Sequence, residues 1–178
     1  MPGAVFLRGE RIELRTVERD DDEFLQRWHN DPAIRNGLMF TMPQNLEQVE
    51  SFIETDDEND EWLNLLICID EEPVGVVELN EIRYQRGELV CWLIPEYQGD
   101  GYATEALSLL IDHAFDVLGL HRVYGRTLGF NKGSQALFDR LGFTKEGEFR
   151  DHVFINGEFQ TLEWYGILEA EWRAREGN

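Results

Sequence analysis

The feature that most constrains the fold of this chain is a turn of small residues between an apolar strand and a long amphipathic helix. Glu88 to Ile94 is predicted to be the strand. From Tyr102 to Leu118, apolar residues recur at three- and four-residue spacing, which predicts a helix packed on a sheet and ended by Gly119. The turn between them reads Gln98-Gly99-Asp100-Gly101-Tyr102-Ala103. Because successive backbone N–H groups at a helix start carry the positive end of the helix dipole, this turn predicts a pyrophosphate site that needs no basic side chain.

The glycines of this turn also have three other interpretations. A Walker loop requires Gly-Lys-Ser/Thr after its glycines, whereas Thr104 follows Ala103, so that loop is excluded. A dinucleotide-binding fold requires a third glycine and an acidic residue about 20 residues further on, where the chain has Tyr124-Gly125-Arg126, so this fold is disfavoured. The third interpretation is a tight turn that binds nothing, and Gly99 and Gly101 by themselves do not decide between it and a phosphate site.

The part of the chain before the turn is predicted to form a strand, two helices and an antiparallel meander. Apolar–polar alternation indicates strands, and Asp or Asn before a periodic apolar segment indicates a helix start. The predicted elements are a strand over 9–16, a helix over Asp21 to His29 with Asp20 and Glu23 as its capping box, an irregular loop over Ile34 to Pro43, a helix over Leu46 to Glu54 capped by Asn45, and strands over Trp62 to Asp70, Val74 to Ile82 and Glu88 to Ile94. The loop is predicted to shape a substrate pocket, and the acidic run Asp56 to Glu61 to be a solvated connection.

The part after the long helix is predicted to add a strand, a short helix and a terminal hairpin. These are Arg122 to Thr127, Ser134 to Leu141, and Phe143 to Phe154 with Phe159 to Leu168 around Asn156-Gly157. The chain shows no internal repeat and no linker, and its hydrophobic content of 42% suffices for a core. Residues 1–178 are therefore expected to form a single domain.

The composition restricts the partners and the chemistry. The formal net charge is -20, with Lys132 and Lys145 as the only lysines, which is typical of halophilic proteins or of an acidic surface that attracts a cationic substrate. This charge disfavours nucleic-acid binding, which requires basic residues against the phosphates. Without a signal-peptide pattern or an apolar run near the roughly 18 residues of a membrane span, the protein is expected to be cytoplasmic with no membrane partner. Cys68 and Cys91 lie in apolar strands and the histidines lack metal-binding spacing, so no disulfide and no metal site are expected.

The Gln-x-x-Gly-x-Ala pattern at residues 98–103 resembles the acetyl-CoA signature of the GNAT superfamily of N-acetyltransferases. Within it, the chain is similar to the ribosomal-protein N-terminal acetyltransferases of the Rim type, from about residue 8 to about residue 168. The segments that carry this similarity are Arg11-Ile12-Glu13-Leu14-Arg15, Trp28-His29-Asn30-Asp31-Pro32, Asn131-Lys132-Gly133-Ser134 and Leu141-Gly142-Phe143-Thr144-Lys145-Glu146-Gly147. The resemblance implies an α/β GNAT fold, with a mixed, mostly antiparallel sheet flanked by helices and a V-shaped cleft between two central strands near Trp92 and Val123.

The resemblance also implies acetyl-CoA as co-substrate and assigns residues to it. The amides of Gly99, Gly101 and Ala103 would cradle the pyrophosphate, and the splayed strand would pair with the pantetheine arm. The residues assigned to acetyl-CoA in this way are Trp92, Leu93, Ile94, Gln98, Gly99, Asp100, Gly101, Tyr102, Ala103, Thr104, Asn131 and Ser134. Ser134 is also predicted to cap the short helix.

The reaction implied is direct attack of a neutral primary amine on the thioester, so the site must take a proton from the ammonium and help the thiolate to leave. The tyrosine that many GNAT enzymes use as general acid is replaced by Phe138, so Ser134 or a water molecule would donate that proton. A strand glutamate of some Rim-type relatives is replaced by Val153, with Asp151 two residues earlier on the same face of a regular strand. The candidate bases are Glu78, Glu88 and Asp151, followed by His152.

The favoured acceptor is a protein or peptide N-terminal amine, by resemblance to the Rim type, with the Ile34 to Pro43 loop and the terminal hairpin as its walls. The alternatives are a small-molecule amine, such as a polyamine, amino acid or aminoglycoside, and a CoA-binding regulator that transfers nothing. Phe138 and the missing strand glutamate motivate the regulator. Exposed terminal aromatic residues such as Trp172 are compatible with a homodimer.

Overall fold

The protein is built on one eight-stranded mixed sheet with helices on both faces. The computed structural model describes residues 2–56 and 60–176, so residues 57–59 of the acidic run lie outside the described residues. The strands are β1 (Val5–Arg8), β2 (Glu13–Thr16), β3 (Leu63–Ile69), β4 (Glu72–Arg83), β5 (Arg86–Leu93), β6 (Arg122–Leu128), β7 (Thr144–Ile155) and β8 (Glu158–Leu168). The helices are α1 (Asp22–Asn30), α2 (Pro32–Leu38), α3 (Leu46–Asp56), α4 (Tyr102–Asp116), α5 (Lys132–Arg140) and α6 (Glu169–Glu176). In space the strand order is β1-β2-β3-β4-β5-β6-β8-β7.

The two faces of the sheet carry separate apolar cores, because successive strand residues point to opposite sides. On one face, residues such as Leu65, Val77 and Leu89 pack with the apolar stripe of α4. On the other face, Leu66 and Trp92 pack with residues from α1 and α2. The central strands are therefore covered on both sides, which explains their nearly continuous apolar sequence.

The sheet opens between its two central strands. β5 and β6 are parallel neighbours, and their pairing covers Arg86 to Glu88 against Arg122 to Tyr124. Beyond that point β5 continues to pair with β4 as far as Leu93, and β6 continues to pair with β8 as far as Leu128. The strands thus separate along the remainder of their length, and the V-shaped cleft predicted from the sequence is confirmed.

Residues 5–16 form a hairpin, where the sequence predicts one strand over 9–16. The amide of Gly9 donates to the carbonyl oxygen of Ile12 at 2.9 Å, which closes a turn between β1 and β2. The predicted strand is therefore wrong in its first half. Only Glu13–Thr16 belongs to a strand there, and the sequence analysis missed β1.

The segment around α1 and α2 corrects two further predictions. The capping box ahead of α1 is formed by Glu18 and Asp21, two residues before the predicted Asp20 and Glu23. The predicted irregular loop begins inside a helix, because Pro32 suits the first turn of α2 and the Asp31 carboxylate accepts a hydrogen bond from the Ala33 amide at 2.8 Å.

The remaining elements follow the sequence prediction closely, except at the C-terminus. The meander, α4, β6, α5 and the terminal hairpin all occur at the predicted positions within a few residues. The helix α6 was not predicted. Its Trp172 is 6% exposed and donates from Nε1 to the Asp112 carboxylate of α4 at 2.7 Å, so the expectation that Trp172 is exposed is wrong. None of the helices in the described part of the chain has the length and apolar character needed to cross a bilayer.

Candidate functional site

The turn between β5 and α4 has a backbone conformation that glycine adopts readily. Gly99 and Gly101 have φ angles of 93° and 87°, in the left-handed region where a side chain is strained. Gly101 is the N-cap residue of α4, so the amides that follow it have no partner within the helix. The turn therefore offers N–H donors together with the positive end of the α4 dipole.

Arg11, between β1 and β2, braces this turn from outside. Its Nη1 donates to the Asp100 carbonyl oxygen at 2.8 Å, and its Nε donates to the Glu105 carboxylate at 2.9 Å. Its guanidinium also lies 4.7 Å from the centre of the Tyr102 ring. Asp100 and Tyr102, both assigned to acetyl-CoA from the sequence, thus hold the turn in place through Arg11.

A cavity of about 390 Å³, here called the turn cavity, lies between β5, the glycine turn, α2 and α5. Nine of the predicted cofactor residues line it. They are Trp92, Leu93, Gln98, Gly99, Gly101, Ala103, Thr104, Asn131 and Ser134. Three of the predicted residues do not line it, namely Asp100, Tyr102 and Ile94, whose amide donates to the Val74 carbonyl oxygen of β4 at 2.9 Å.

The turn cavity fits the diphosphate and pantetheine groups of CoA. The amides of the glycine turn suit an anion, and Arg140 of α5 lines the same cavity, with Nη1 3.4 Å from the Thr104 hydroxyl oxygen. No pattern in the sequence points to Arg140. Gln98 instead donates from Nε2 to the Leu93 carbonyl oxygen at 2.7 Å, so it closes the end of β5.

Asn131 and Ser134 both lie at the N-terminal end of α5, and the residue that caps the helix is Asn131. Asn131 is the N-cap residue, and its side-chain oxygen accepts a hydrogen bond from the Ser134 amide at 3.1 Å. The prediction that Ser134 caps the helix is therefore wrong. The third position of α5 instead places Ser134 in the lining of both the turn cavity and the cavity described next.

A second cavity of about 210 Å³, here called the carboxylate cavity, continues from the turn cavity and shares part of its lining. Two of the predicted bases, Glu78 of β4 and Glu88 of β5, line it together with Asn80. Asn80 donates from Nδ2 to the Glu78 carboxylate at 2.9 Å, while its buried Oδ1 has no hydrogen-bond partner. A buried acceptor without a partner is costly, so this oxygen favours a ligand that donates a hydrogen bond. As predicted, the segment after Ile34 supplies part of the wall, over 37–40.

Glu88 is held in an ion pair that the sequence analysis did not identify. Its side chain is 8% exposed, and Arg126 of β6 donates to it from Nε at 2.5 Å and from Nη2 at 2.8 Å. Glu88 pairs with Tyr124 in the parallel register, so Arg126, two residues further on, points to the same face of the sheet. Only knowledge of that register could have revealed the contact.

Asp151 lies apart from the other predicted bases. It has a φ of 51° and sits where the β7–β8 pairing shifts between Phe149 and Val153. The strand is therefore irregular, and the condition under which Asp151 would replace the strand glutamate is not met. Asp151 and the neighbouring His152 are exposed and line neither cavity, and the described residues of the terminal hairpin supply no wall.

Cys91 lines both cavities, yet its thiol is poorly suited to carry an acetyl group. Burial raises the pKa of this thiol to about 12, and the negative charge of Glu78 adds to the shift. Because the thiolate is the nucleophilic form, Cys91 is unreactive at neutral pH. Where the turn cavity and the carboxylate cavity meet, the low reactivity of Cys91 therefore favours direct transfer from thioester to amine.

Phe138 fills the space between α5 and the opening of the sheet. Its ring is buried, lines the carboxylate cavity and stacks on Tyr165 with centroids 5.0 Å apart. It also lies against β6 so closely that a Cβ built on Gly125 would be 2.5 Å from its Cζ. Phe138 is thus a packing residue here and has no proton to donate.

Replacing Gly125 by Ala is expected to lower the free energy of unfolding by about 1–3 kcal/mol, because the new methyl group must displace the Phe138 ring. Gly129→Ala is the matched control, since a Cβ built there meets its nearest atom, in Thr161, at an ordinary 3.5 Å. Urea unfolding measures both variants. Equal stability of the two would contradict the close packing described here.

Known proteins resemble this chain in sequence and in fold. The family described as the acetyltransferase (GNAT) domain matches residues 11–144. Spermidine N(1)-acetyltransferase of Escherichia coli (strain K12) is 32% identical over 171 residues, which are 92% of this chain and 89% of the relative. The putative ribosomal N-acetyltransferase YdaF of Bacillus subtilis (strain 168) is 28% identical over 172 residues, 92% of this chain and 94% of the relative. The structure of spermidine N-acetyltransferase from Vibrio cholerae in complex with CoA and spermine matches with a TM-score of 0.87 and 25% identity, covering 92% of this chain and 98% of that one.

Proposed function

The chain belongs to the GNAT family of acetyltransferases and takes its acetyl group from acetyl-CoA, and we propose that it passes this group to a primary amine of a polyamine such as spermidine. The observation that carries the proposal is the carboxylate cavity. It joins the turn cavity and offers an incoming ammonium the Glu78 carboxylate and the unpartnered Oδ1 of Asn80. A small cavity with acceptors and a net negative charge suits a slender cation.

Acetyl-CoA supplies the acetyl group as an activated thioester, and the residues of the chain bind and orient the two reactants. The turn from 98 to 104 and Arg140 would hold the diphosphate, and the thioester would then be bound near Cys91 and Ser134, where the two cavities meet. Glu78 takes the proton that the ammonium must lose, directly or through one water. Glu88 is less suited to this role because both of its oxygens accept hydrogen bonds from Arg126.

The departing thiolate needs a proton at the same junction. Phe138 cannot supply it, while Ser134 lines both cavities and carries a hydroxyl group. We assign this proton donation to Ser134 or to a water molecule that it orders, and the donor regains a proton from the attacking nitrogen, which loses its second proton as the amide forms. Asn131 fixes the first turn of α5 and so positions Ser134.

The relatives support a polyamine better than the protein N-terminus that the sequence analysis favoured. Two of the proteins described above are spermidine acetyltransferases, one of them with CoA and spermine bound, whereas the putative ribosomal acetyltransferase YdaF is less identical to this chain than the Escherichia coli enzyme. The volume of the carboxylate cavity, about 210 Å³, agrees with a small acceptor. A regulator without activity is disfavoured, because the chain belongs to a family of acetyl-CoA-dependent enzymes.

Incubation with acetyl-CoA and a set of acceptors tests this function. Thiol release is expected with spermidine, with a kcat/KM at least about tenfold above that for a peptide with a free N-terminus, since the carboxylate cavity of about 210 Å³ must also admit the backbone beside a peptide amine, and a penalty of about 1.4 kcal/mol corresponds to that factor. Mass spectrometry identifies the acetylated product. A higher kcat/KM for the peptide would support a protein N-terminal amine as the acceptor. An absence of thiol release with every amine would support a CoA-binding regulator that transfers nothing.

A further inference from the structure

The ion pair between Glu88 and Arg126 lies where β5 and β6 begin to separate. The pairing of β5 with β6 ends at Glu88 and Tyr124. Arg126, two residues after Tyr124, makes a bidentate contact with Glu88 and so connects the two strands where they separate, on the face of the sheet that lines the carboxylate cavity. Both partners line that cavity. The Glu88 side chain is 8% exposed while that of Arg126 is 36% exposed, so the guanidinium keeps an accessible surface.

The Arg126 guanidinium is fixed from behind by aromatic rings. It lies 5.6 Å from the centre of the Trp164 ring, which stacks on the Tyr124 ring at 5.2 Å with an interplanar angle of 7°. A cation over an aromatic face is held by the ring quadrupole. Arg126 is therefore oriented toward Glu88 before any acceptor enters.

The charged side chains among the described residues that line the carboxylate cavity are Glu78, Glu88 and Arg126. Two carboxylates and one guanidinium leave a single net negative charge. The cavity therefore balances one ammonium group and gives no further attraction to a second one close by.

We propose that Arg126 determines acceptor specificity by cancelling the charge of Glu88, which limits the preference of the enzyme for amines with several positive charges. This inference rests on the proposed acetylation of amines. Without Arg126, Glu88 is a buried carboxylate with no partner, and a second ammonium of the acceptor gains by pairing with it. Without Glu88, Arg126 is an unbalanced cation that repels every additional ammonium.

The test compares kcat/KM for propylamine, putrescine, spermidine and spermine, which carry one to four ammonium groups at neutral pH. The readout is the ratio of spermine to propylamine, because a loss of catalysis common to all acceptors cancels in it. Arg126→Met is expected to raise this ratio about tenfold and Glu88→Gln to lower it about tenfold, the effect of one charge contact. The double variant Glu88→Gln with Arg126→Met is expected to return to the parent ratio, since its cavity again carries one negative charge.

Two further variants separate specificity from structure. Arg122→Met removes an arginine from the same strand that pairs with Glu146 outside both cavities, and it should leave the ratio unchanged. Arg126→Lys keeps the charge and should stay near the parent ratio. If Arg126→Met folds poorly, Glu88→Gln still tests the inference through its expected tenfold decrease. A parent enzyme that is active on these amines, with variants whose ratios do not follow the cavity charge, would overturn the inference and leave the proposed function standing. A parent that acetylates none of them would overturn both.

Discussion

Replacing Gly101 by Val is expected to weaken CoA binding by about a hundredfold or more, the effect of losing one or two charge-assisted hydrogen bonds. Gly101 has a φ of 87°, which a β-branched residue tolerates poorly, so the backbone must rotate and turn its amides away from the diphosphate. The new Cβ would also lie 3.3 Å from Nη2 of Arg11, which braces the turn. Isothermal titration with CoA measures the loss.

Gly119→Val is the matched control for this substitution. Gly119 also has a positive φ, 64°, and follows the other end of α4, where a built Cβ meets nothing within 4 Å. Both variants carry similar backbone strain, but only Gly101 lines the turn cavity. Comparable loss of CoA affinity in the two variants would show that strain in general, and not the amides of the turn, is responsible.

Replacing Glu78 by Gln is expected to lower kcat/KM for spermidine about a hundredfold, within the usual range for removal of a general base. The change also removes the negative charge of Glu78. Because the charge of Glu88 is offset by Arg126, the charged residues that line the cavity then sum to zero. CoA affinity should stay at the parent value, because Glu78 does not line the turn cavity. Initial rates with spermidine, together with a CoA titration, measure both quantities.

Glu72→Gln controls for charge on the same strand, since Glu72 is exposed at the start of β4 and lines neither cavity. It should have the parent kcat/KM. An undiminished rate for Glu78→Gln, with a large loss for Glu88→Gln on every amine alike, would assign the proton transfer to Glu88.

The glycine turn and most of the lining of the turn cavity could be predicted from the sequence because their determinants are local. Two glycines, a strand before them and an amphipathic helix after them fix the turn, whatever the rest of the chain does. Gly101 at the N-cap of α4 is the clearest case. Arg140 was missed because its place beside Thr104 depends on how α5 docks against α4, which no local pattern encodes.

The carboxylate cavity could be predicted only in part because its determinants are contacts between distant residues. Glu78 and Glu88 were identified through the strands that carry them, but the ion pair of Glu88 with Arg126 spans 38 positions and depends on strand register. The prediction for Asp151 assumed a regular strand. The shift in β7–β8 pairing between Phe149 and Val153 means that Asp151 does not share the strand face of Val153 as predicted. Trp172 was misjudged because an isolated terminal aromatic gives no sign of the helix that buries it.

A crystal structure of the protein with CoA and spermidine would test directly whether the glycine turn binds the CoA diphosphate and the carboxylate cavity binds the amine. We expect diphosphate oxygens about 3 Å from backbone amide nitrogens between residues 98 and 104, and a polyamine nitrogen beside Glu78 and Oδ1 of Asn80 in the carboxylate cavity. A diphosphate bound away from those amides, or a polyamine bound outside that cavity, would contradict this expectation.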